Sequence, residues 1–247
     1  MEDGVPVTEH SNTWGRLRNE IVHCTRCPRL VRYRRKVARE KKRQYMNWNY
    51  WGAPLPGFGE ILAELVIVGL APAAHGGNRT GRMFTGDGSA SFLMQAMHRA
   101  GFANQPKSDH RGDGLMLTNA FMTAAVRCPP PRNKPSKKEL MNCSAYLDRE
   151  LALLSRARVI LMLGHIAFKG CLHHLRRKGL DVSGLVFKHG EIYRLPKSSL
   201  VLIVSYHPSR QNTQTGRLTH EMMDRTLQDV RIVLERDERE SREIVNC

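Results

Sequence analysis

The sequence predicts an α/β fold: a three-layer α/β/α sandwich around a central, mostly parallel four-stranded sheet. Two observations predict it. Short apolar runs recur along the chain, each ending in a glycine or polar turn, and stretches of helical periodicity lie between them. Most of these runs are continuous rather than alternating, so both faces of each strand are buried, as in a parallel sheet covered by helices. With 247 residues and a 41% hydrophobic share, the chain can build one well-buried core.

The elements follow in order. Residues 1–20 lead as a tail into a short helix. Arg32 to Arg43 holds eight basic residues and one acid, Glu40, and Tyr45, Trp48, Tyr50 and Trp51 come next. The proline- and glycine-rich stretch Gly52 to Gly59 closes this basic, aromatic insertion of about residues 32–59. A solvated helix explains the charge alone; rings beside it fit a nucleic-acid surface better. The predicted strands are Leu65–Gly69, Leu117–Ala124, Val159–Leu163 and Leu200–Val204. Ser89–Ala100 is a helix with Phe92, Leu93, Ala96 and Met97 on its apolar face. Ser136–Leu154 is another, opened by the capping box Ser136-Lys-Lys-Glu139 and striped by Leu140, Cys143, Leu147, Leu151 and Leu154. A last helix starts near Thr219, buries Met223, Leu227 and Val230, and runs into a charged tail at about 236–247. No repeat and no second core interrupt the series, so residues 1–247 read as a single domain.

Charge narrows the class of partner. Thirty-nine Lys and Arg against 23 Asp and Glu leave +16, which favours a polyanion through counterion release. No apolar run approaches the ~20 residues a spanning helix needs. Met1 to Ser11 has no apolar core and predicts no signal peptide. The expected setting is cytoplasmic and nucleoid-associated, where thiols stay reduced and six cysteines argue for metal ligands or buried thiols.

Cys24 and Cys27 form a C-x2-C pair; Cys128 and Cys143 follow at C-x14-C spacing. Cys27 and Cys128 each precede a proline, a habit of iron–sulfur ligands. Cys143 alone reads equally well as a core thiol, but four cysteines with a ligand-spaced pair point to a metal or cluster, with zinc as the competitor. Cys171 and Cys247 are left over as inert.

Directly after the first strand, Gly69 to Gly88 carries six glycines in twenty residues. Such a loop lets backbone approach a ligand at the carboxyl end of a strand, and it is neither a Walker loop nor a Rossmann fingerprint. The fourth strand runs into Ser205-Tyr-His207-Pro-Ser-Arg-Gln-Asn-Thr-Gln-Thr-Gly216, a polar stretch suited to facing a ligand.

Four segments in this order, Gly-Leu-Ala-Pro…Gly-Arg-Met-Phe-Thr-Gly-Asp (69–87), Thr-Asn-Ala (118–120), Cys-Pro-Pro-Pro-Arg-Asn-Lys-Pro (128–135) and His-Pro-Ser-Arg-Gln-Asn (207–212), resemble the uracil-DNA glycosylase superfamily. The match is best to its fifth, B-type, iron–sulfur family and covers roughly residues 20–235. The resemblance implies a role for each residue. Phe84 stacks on a flipped base, with Ala71 beside it. Asn119, at the end of the second strand, reads the Watson–Crick edge. His207 donates to the departing base. Pro208–Gln214, with Arg210, Gln211 and Asn212, enters the minor groove. Cys24, Cys27, Cys128 and Cys143 hold a [4Fe–4S] cluster. Leu70 and Ala71 stand where other branches carry a carboxylate or amide, which favours the fifth family over the fourth. It leaves Asp87 as the best catalytic carboxylate and Asn133 as a lesser candidate. Asp87 also reads as an N-cap for the helix beginning at Ser89.

The expected activity is that of a monofunctional DNA glycosylase, a monomer that removes uracil and other deaminated bases, hypoxanthine and xanthine among them, to leave an abasic site in DNA. A non-catalytic iron–sulfur nucleic-acid-binding protein is the rival from another class. An α/β hydrolase of free nucleotides is a second, disfavoured by the charge and by the wedge-like segment 208–214.

Overall fold

The computed structural model describes residues 7–245; the start of the predicted tail and Cys247 lie outside them. Helices α1 (Val7–Val22) and α2 (Pro28–Glu40) come first, and α2 starts on a proline, whose missing N–H is no loss at a helix start. Strands β1 (Phe58–Gly59) and β2 (Leu65–Gly69) follow, then the short α3 (Gly77–Thr80), α4 (Gly88–Arg99) and β3 (Ala120–Ala124). The second half holds α5 (Lys137–Leu153), β4 (Val159–Leu163), α6 (His165–Arg177), β5 (Ile192–Arg194), β6 (Val201–Ser205), α7 (Arg210–Gln214) and α8 (His220–Val245). The capping box on α5 forms as predicted, with Ser136 Oγ accepting from Glu139 N and Glu139 Oε2 from Ser136 N.

The sheet has six strands among the described residues, in the order β1-β3-β2-β4-β6-β5. The four inner strands are the predicted parallel ones; β1 and β5 pair antiparallel at the edges. These two escaped the sequence pattern because β1 has two residues inside a proline- and glycine-rich stretch, and β5 has three with no buried face. Alternation along the inner strands builds two cores. Leu65, Ile67, Met122, Leu161 and Ile203 face α4 and α8, whereas Val66, Val68, Phe121, Met162 and Val204 face α1, α5 and α6. That is the three-layer sandwich. The predicted second strand is shorter than expected at its start, because Asn119 takes a left-handed φ of +49° and the ladder begins at Ala120.

One buried ion pair fixes an edge. Arg127, just beyond β3, reaches Glu150 of α5 at 2.8 Å, both nearly inaccessible, and Glu150 Oε1 accepts from Gly57 N at 2.9 Å. The carboxylate thereby ties the segment leading into β1 to α5.

Candidate active site

The chain leaves β2 toward β3 on one side of the sheet and leaves β4 toward β6 on the other. Between β2 and β4 the connections therefore diverge, and the crevice outside their carboxyl ends is where open α/β sheets bind ligands. Two glycines line it. A Cβ on Gly69, the last residue of β2, would stand 2.6 Å from Cζ of Phe84; one on Gly164, just after β4, would stand 3.1 Å from Cβ of His207. The two rings lie roughly parallel, centroids 6.5 Å apart and planes 28° apart. Phe84 holds a left-handed φ of +45°, uncommon for an aromatic residue, and its carbonyl accepts from Ser108 Oγ at 2.9 Å. Ser108 also bonds Thr85 and Arg82, and Arg82 forms a buried pair with Asp113 at 2.8 Å. This network holds the strained turn in place.

Of the two roles offered by the sequence, the structure shows Asp87 in that of the N-cap. Its Oδ1 caps α4, accepting from Ser89 N at 2.9 Å and Ala90 N at 3.0 Å. Its Oδ2 lies against Gly76, where an added Cβ would come within 2.1 Å. Burial pushes the carboxyl above its usual range, opposed by the two capping amides and by the charges of Arg79 and Arg210. Burial also pushes His207 down to about 4, so its imidazole is neutral at pH 7.

Other predicted residues fare differently. Asn119 is not in the crevice. It sits one residue before β3, at the amino end of the sheet, where its Oδ1 accepts from Glu64 N and its Nδ2 donates to Glu64 Oε2, each at 2.8 Å. Glu64 in turn pairs with Arg158 at 2.8 Å. With five residues of β3 between it and the carboxyl end, Asn119 cannot read a base held there. Ala71 follows β2 and packs on the cysteine pocket. Asn133, exposed and at φ +56° in a 3-10 turn beyond β3, lies at the carboxyl end, where the sheet presents its ligand crevice. Segment 208–214, expected as a loop, is mostly the short helix α7, capped by Ser209. Arg210 and Gln211 are exposed, but Asn212 is spent on structure, donating to the carbonyl of His207 at 2.8 Å.

Cys27, Cys128 and Cys143 are buried in one small apolar pocket with Leu30 and Val126, and Cys24 is half-buried at its side. Burial raises Cys128 to about 12 and Cys143 to about 11; the other thiols add to both shifts, and Arg34 and Arg127 oppose them respectively. Arg34 is itself buried, and its Nε has no partner although its Nη2 donates to the carbonyl of Cys24. Among the described residues no three Cys, His, Asp or Glu side chains are set closely enough to hold a metal ion. The donor set nonetheless suits an anionic centre: four thiols beside a buried cation with a donor to spare.

The sequence profile of the uracil DNA glycosylase superfamily matches residues 56–231. The chain belongs to that superfamily. It is 48% identical to the type-5 uracil-DNA glycosylase of Thermus thermophilus, over 85% of this chain and 94% of that protein. It is 45% identical to the type-5 enzyme of Pyrobaculum aerophilum, over 85% and 88% respectively. Against the type-4 enzyme of Pyrobaculum aerophilum identity falls to 29% over 78% of this chain. The fifth branch of the superfamily is thus the one this chain resembles most, as its motifs imply.

Within this superfamily member the basic, aromatic segment does work that sequence reasoning missed. Leu30, Arg34 and Val37 of α2 face inward, leaving Arg32, Arg35, Lys36 and Arg39 exposed. The rings expected to face a nucleic acid are engaged internally. Tyr45 and Trp48 lie on Arg79, Tyr50 Oη meets His75 Nδ1 at 3.0 Å, and Trp51 donates to the carbonyl of Pro54. No spacing rule signals the contacts of Tyr45 and Trp48 with Arg79, because they join segments some thirty residues apart.

Proposed function

We infer that this protein is a monofunctional uracil-DNA glycosylase. The observation that carries the reading is the convergence of an aromatic ring, a neutral imidazole and a desolvated carboxylate on the switch-point crevice of a uracil DNA glycosylase fold. The names of the type-5 relatives support the same activity.

A glycosidic bond inside a duplex is out of reach, so the nucleotide must be rotated into the crevice. There Phe84 offers its face to the base. The bond from the base nitrogen to C1′ breaks heterolytically, and its electron pair stays on the base. His207, neutral at working pH, donates a hydrogen bond to that anion without first losing a proton, while the Asp87 carboxylate faces the cationic sugar. Electrostatic stabilisation of this kind is usually the largest catalytic term. Asp87, more basic than an exposed carboxylate, also takes a proton from the attacking water, whose oxygen bonds C1′. No lysine stands among these groups, which favours an abasic product without strand cleavage. Asn133 lies at the same end of the sheet as a lesser catalytic candidate. With Leu70 and Ala71 in place of an inner carboxylate or amide, the pocket tolerates hypoxanthine and xanthine as well.

Arg210 and Gln211 on α7 extend from the same rim and suit contact with the duplex, as do the exposed bases of α2. Cys24, Cys27, Cys128 and Cys143 would hold a [4Fe–4S] cluster, which would lock the segments around 24–27, 128 and 143 together and carry charge beside Arg34. No described helix is long and apolar enough to cross a membrane. A monomer associated with the nucleoid completes the reading.

The test is a duplex with one uracil, treated with alkali after incubation. A strand cut only after alkali supports the reading. No cleavage of uracil, hypoxanthine or xanthine by freshly purified protein would sink it. Iron and acid-labile sulfide measured after anaerobic purification check the cluster separately, and Cys128→Ser should bleach the protein while Cys171→Ser should not.

A further inference from the structure

We propose that Arg79, held between the rings of Tyr45 and Trp48, is the positioning residue that sets the Asp87 carboxylate in the crevice, and that segment 45–52 is an internal clamp on the glycine-rich loop. The proposal rests on the role given to Asp87 above.

Arg79 makes two hydrogen bonds that bracket Asp87. Its Nε donates to the carbonyl of His75 and its Nη2 to the carbonyl of Gly86, each at 2.8 Å. His75 precedes Gly76, the residue against which Oδ2 of Asp87 rests; Gly86 precedes Asp87 itself. One guanidinium thus joins the two stretches of backbone that meet at the carboxylate. The fit at Gly86 is close, since a Cβ there would stand 2.5 Å from Nη2, and φ of +78° favours glycine in any case.

The same guanidinium is clamped from outside. Its carbon lies 3.9 Å from the ring centroids of both Tyr45 and Trp48, which themselves sit 6.2 Å apart, edge to face. Cation–π contact with two rings fixes the plane of the fork and shields it from water. The backbone reinforces the clamp: Trp51 N donates to the carbonyl of Arg79 and Gly52 N to that of Asn78, each at 3.0 Å. On the same arc Trp51 packs on Gly81. Arg79 is only 4% exposed, so it cannot reach a phosphate, and its charge acts inward.

The alternative for these rings is direct contact with DNA, and the two roles separate in kinetics. Single-turnover cleavage of a uracil duplex with excess enzyme gives the rate at saturation. Titration of a labelled duplex carrying a tetrahydrofuran abasic analogue gives Kd. Trp48→Ala and Arg79→Ala should each lower the saturating rate about tenfold or more, since small misplacement of a reacting group is expensive, with Kd within about twofold. Trp48→Phe should restore most of the rate, and the double variant should be no slower than Arg79→Ala. Amide exchange across 76–90, measured without DNA, should quicken in Trp48→Ala. Arg79→Lys, which keeps the charge but loses both the fork and the planar face that lies on the rings, serves where an alanine variant fails to fold and should also slow the rate. A raised Kd with an unchanged rate would overturn the clamp and make the rings a DNA grip; unchanged rate and exchange would overturn it outright. Were the wild type to cut no substrate, the functional reading would fall while exchange across 76–90 still decided whether Arg79 orders the loop.

Discussion

The two ends of the sheet hold similar residues put to different ends. At the amino end, Asn119, Glu64 and Arg158 satisfy one another, the asparagine using both ends of its amide on the same neighbour. At the carboxyl end, Phe84, Asp87 and His207 are packed onto Gly69, Gly76 and Gly164 at the rim of the switch-point crevice, and the rings of Phe84 and His207 lie roughly parallel. Asn119 and Phe84 both adopt a left-handed φ. Closed networks hold a fold; strained backbone and unspent polar groups around a space hold a ligand. An asparagine in a recognisable motif belongs to either class until its partners are known.

The largest expected effects belong to the carboxyl end. His207→Ala and Asp87→Asn should each slow uracil excision by roughly 10²–10³-fold, as removal of one charge-stabilising group does, while gel-shift affinity for the duplex stays near wild type because phosphates supply most of it. Gly76→Ala places a methyl where Oδ2 of Asp87 now lies, so the carboxylate must move; about 10²-fold is the loss anticipated for a displaced catalytic group. Full activity in that variant would show that Oδ2 has no part in the chemistry.

Asn119→Ala should do the reverse. It strips a buried-edge hydrogen-bond pair from Glu64 and should cost about 1–3 kcal/mol in urea unfolding, with the saturating rate per folded molecule unchanged. A stable but inactive Asn119→Ala protein would break the contrast drawn between the two ends.

The subtlest test separates the ends by pH. His207 titrates near 4 when folded and near the ordinary ~6.5 when unfolded. Between those values the unfolded chain binds more protons, so this residue's contribution is complete above about 6.5 and is lost as pH falls toward 4. Burial pushes Glu64 up, but hydrogen bonds from Arg158 and Asn119 and the charge of Arg158 outweigh it and leave its pKa lowered. Its contribution is present above the ordinary carboxylate value and disappears only as pH falls below it. Denaturant midpoints taken between pH 7 and 5 should therefore fall less in His207→Gln than in wild type, and Asn119→Ala should not alter that slope.

The parallel core was legible because burial on both faces writes a continuous apolar run, as in Leu65-Val-Ile-Val. The edge strands were not, since Phe58–Gly59 and Ile192–Arg194 bury too little to leave a pattern. Asp87 and His207 could be placed near the crevice because each follows a strand or its loop closely. Asn119 was misplaced because a motif gives residue order, whereas the direction of a strand decides which end of the sheet a residue serves. The partners of Tyr45 and Trp48 were invisible for another reason: an aromatic beside a charge run looks the same whether its cation lies in the protein or its base in a nucleic acid.

Asp87 divides its carboxylate, one oxygen capping the start of α4 and the other resting against Gly76, where the proposed chemistry would use it. An asparagine can keep the first oxygen and replace only the second. Loss of chemistry at this position therefore need not be accompanied by loss of the helix start, and a descendant that has abandoned catalysis would still be under pressure to keep a short oxygen-bearing side chain here. An aspartate at this site in another chain is thus poor testimony to activity, because folding alone can retain it; an asparagine is the more informative residue, since it keeps what the helix needs and drops what the proposed reaction would need.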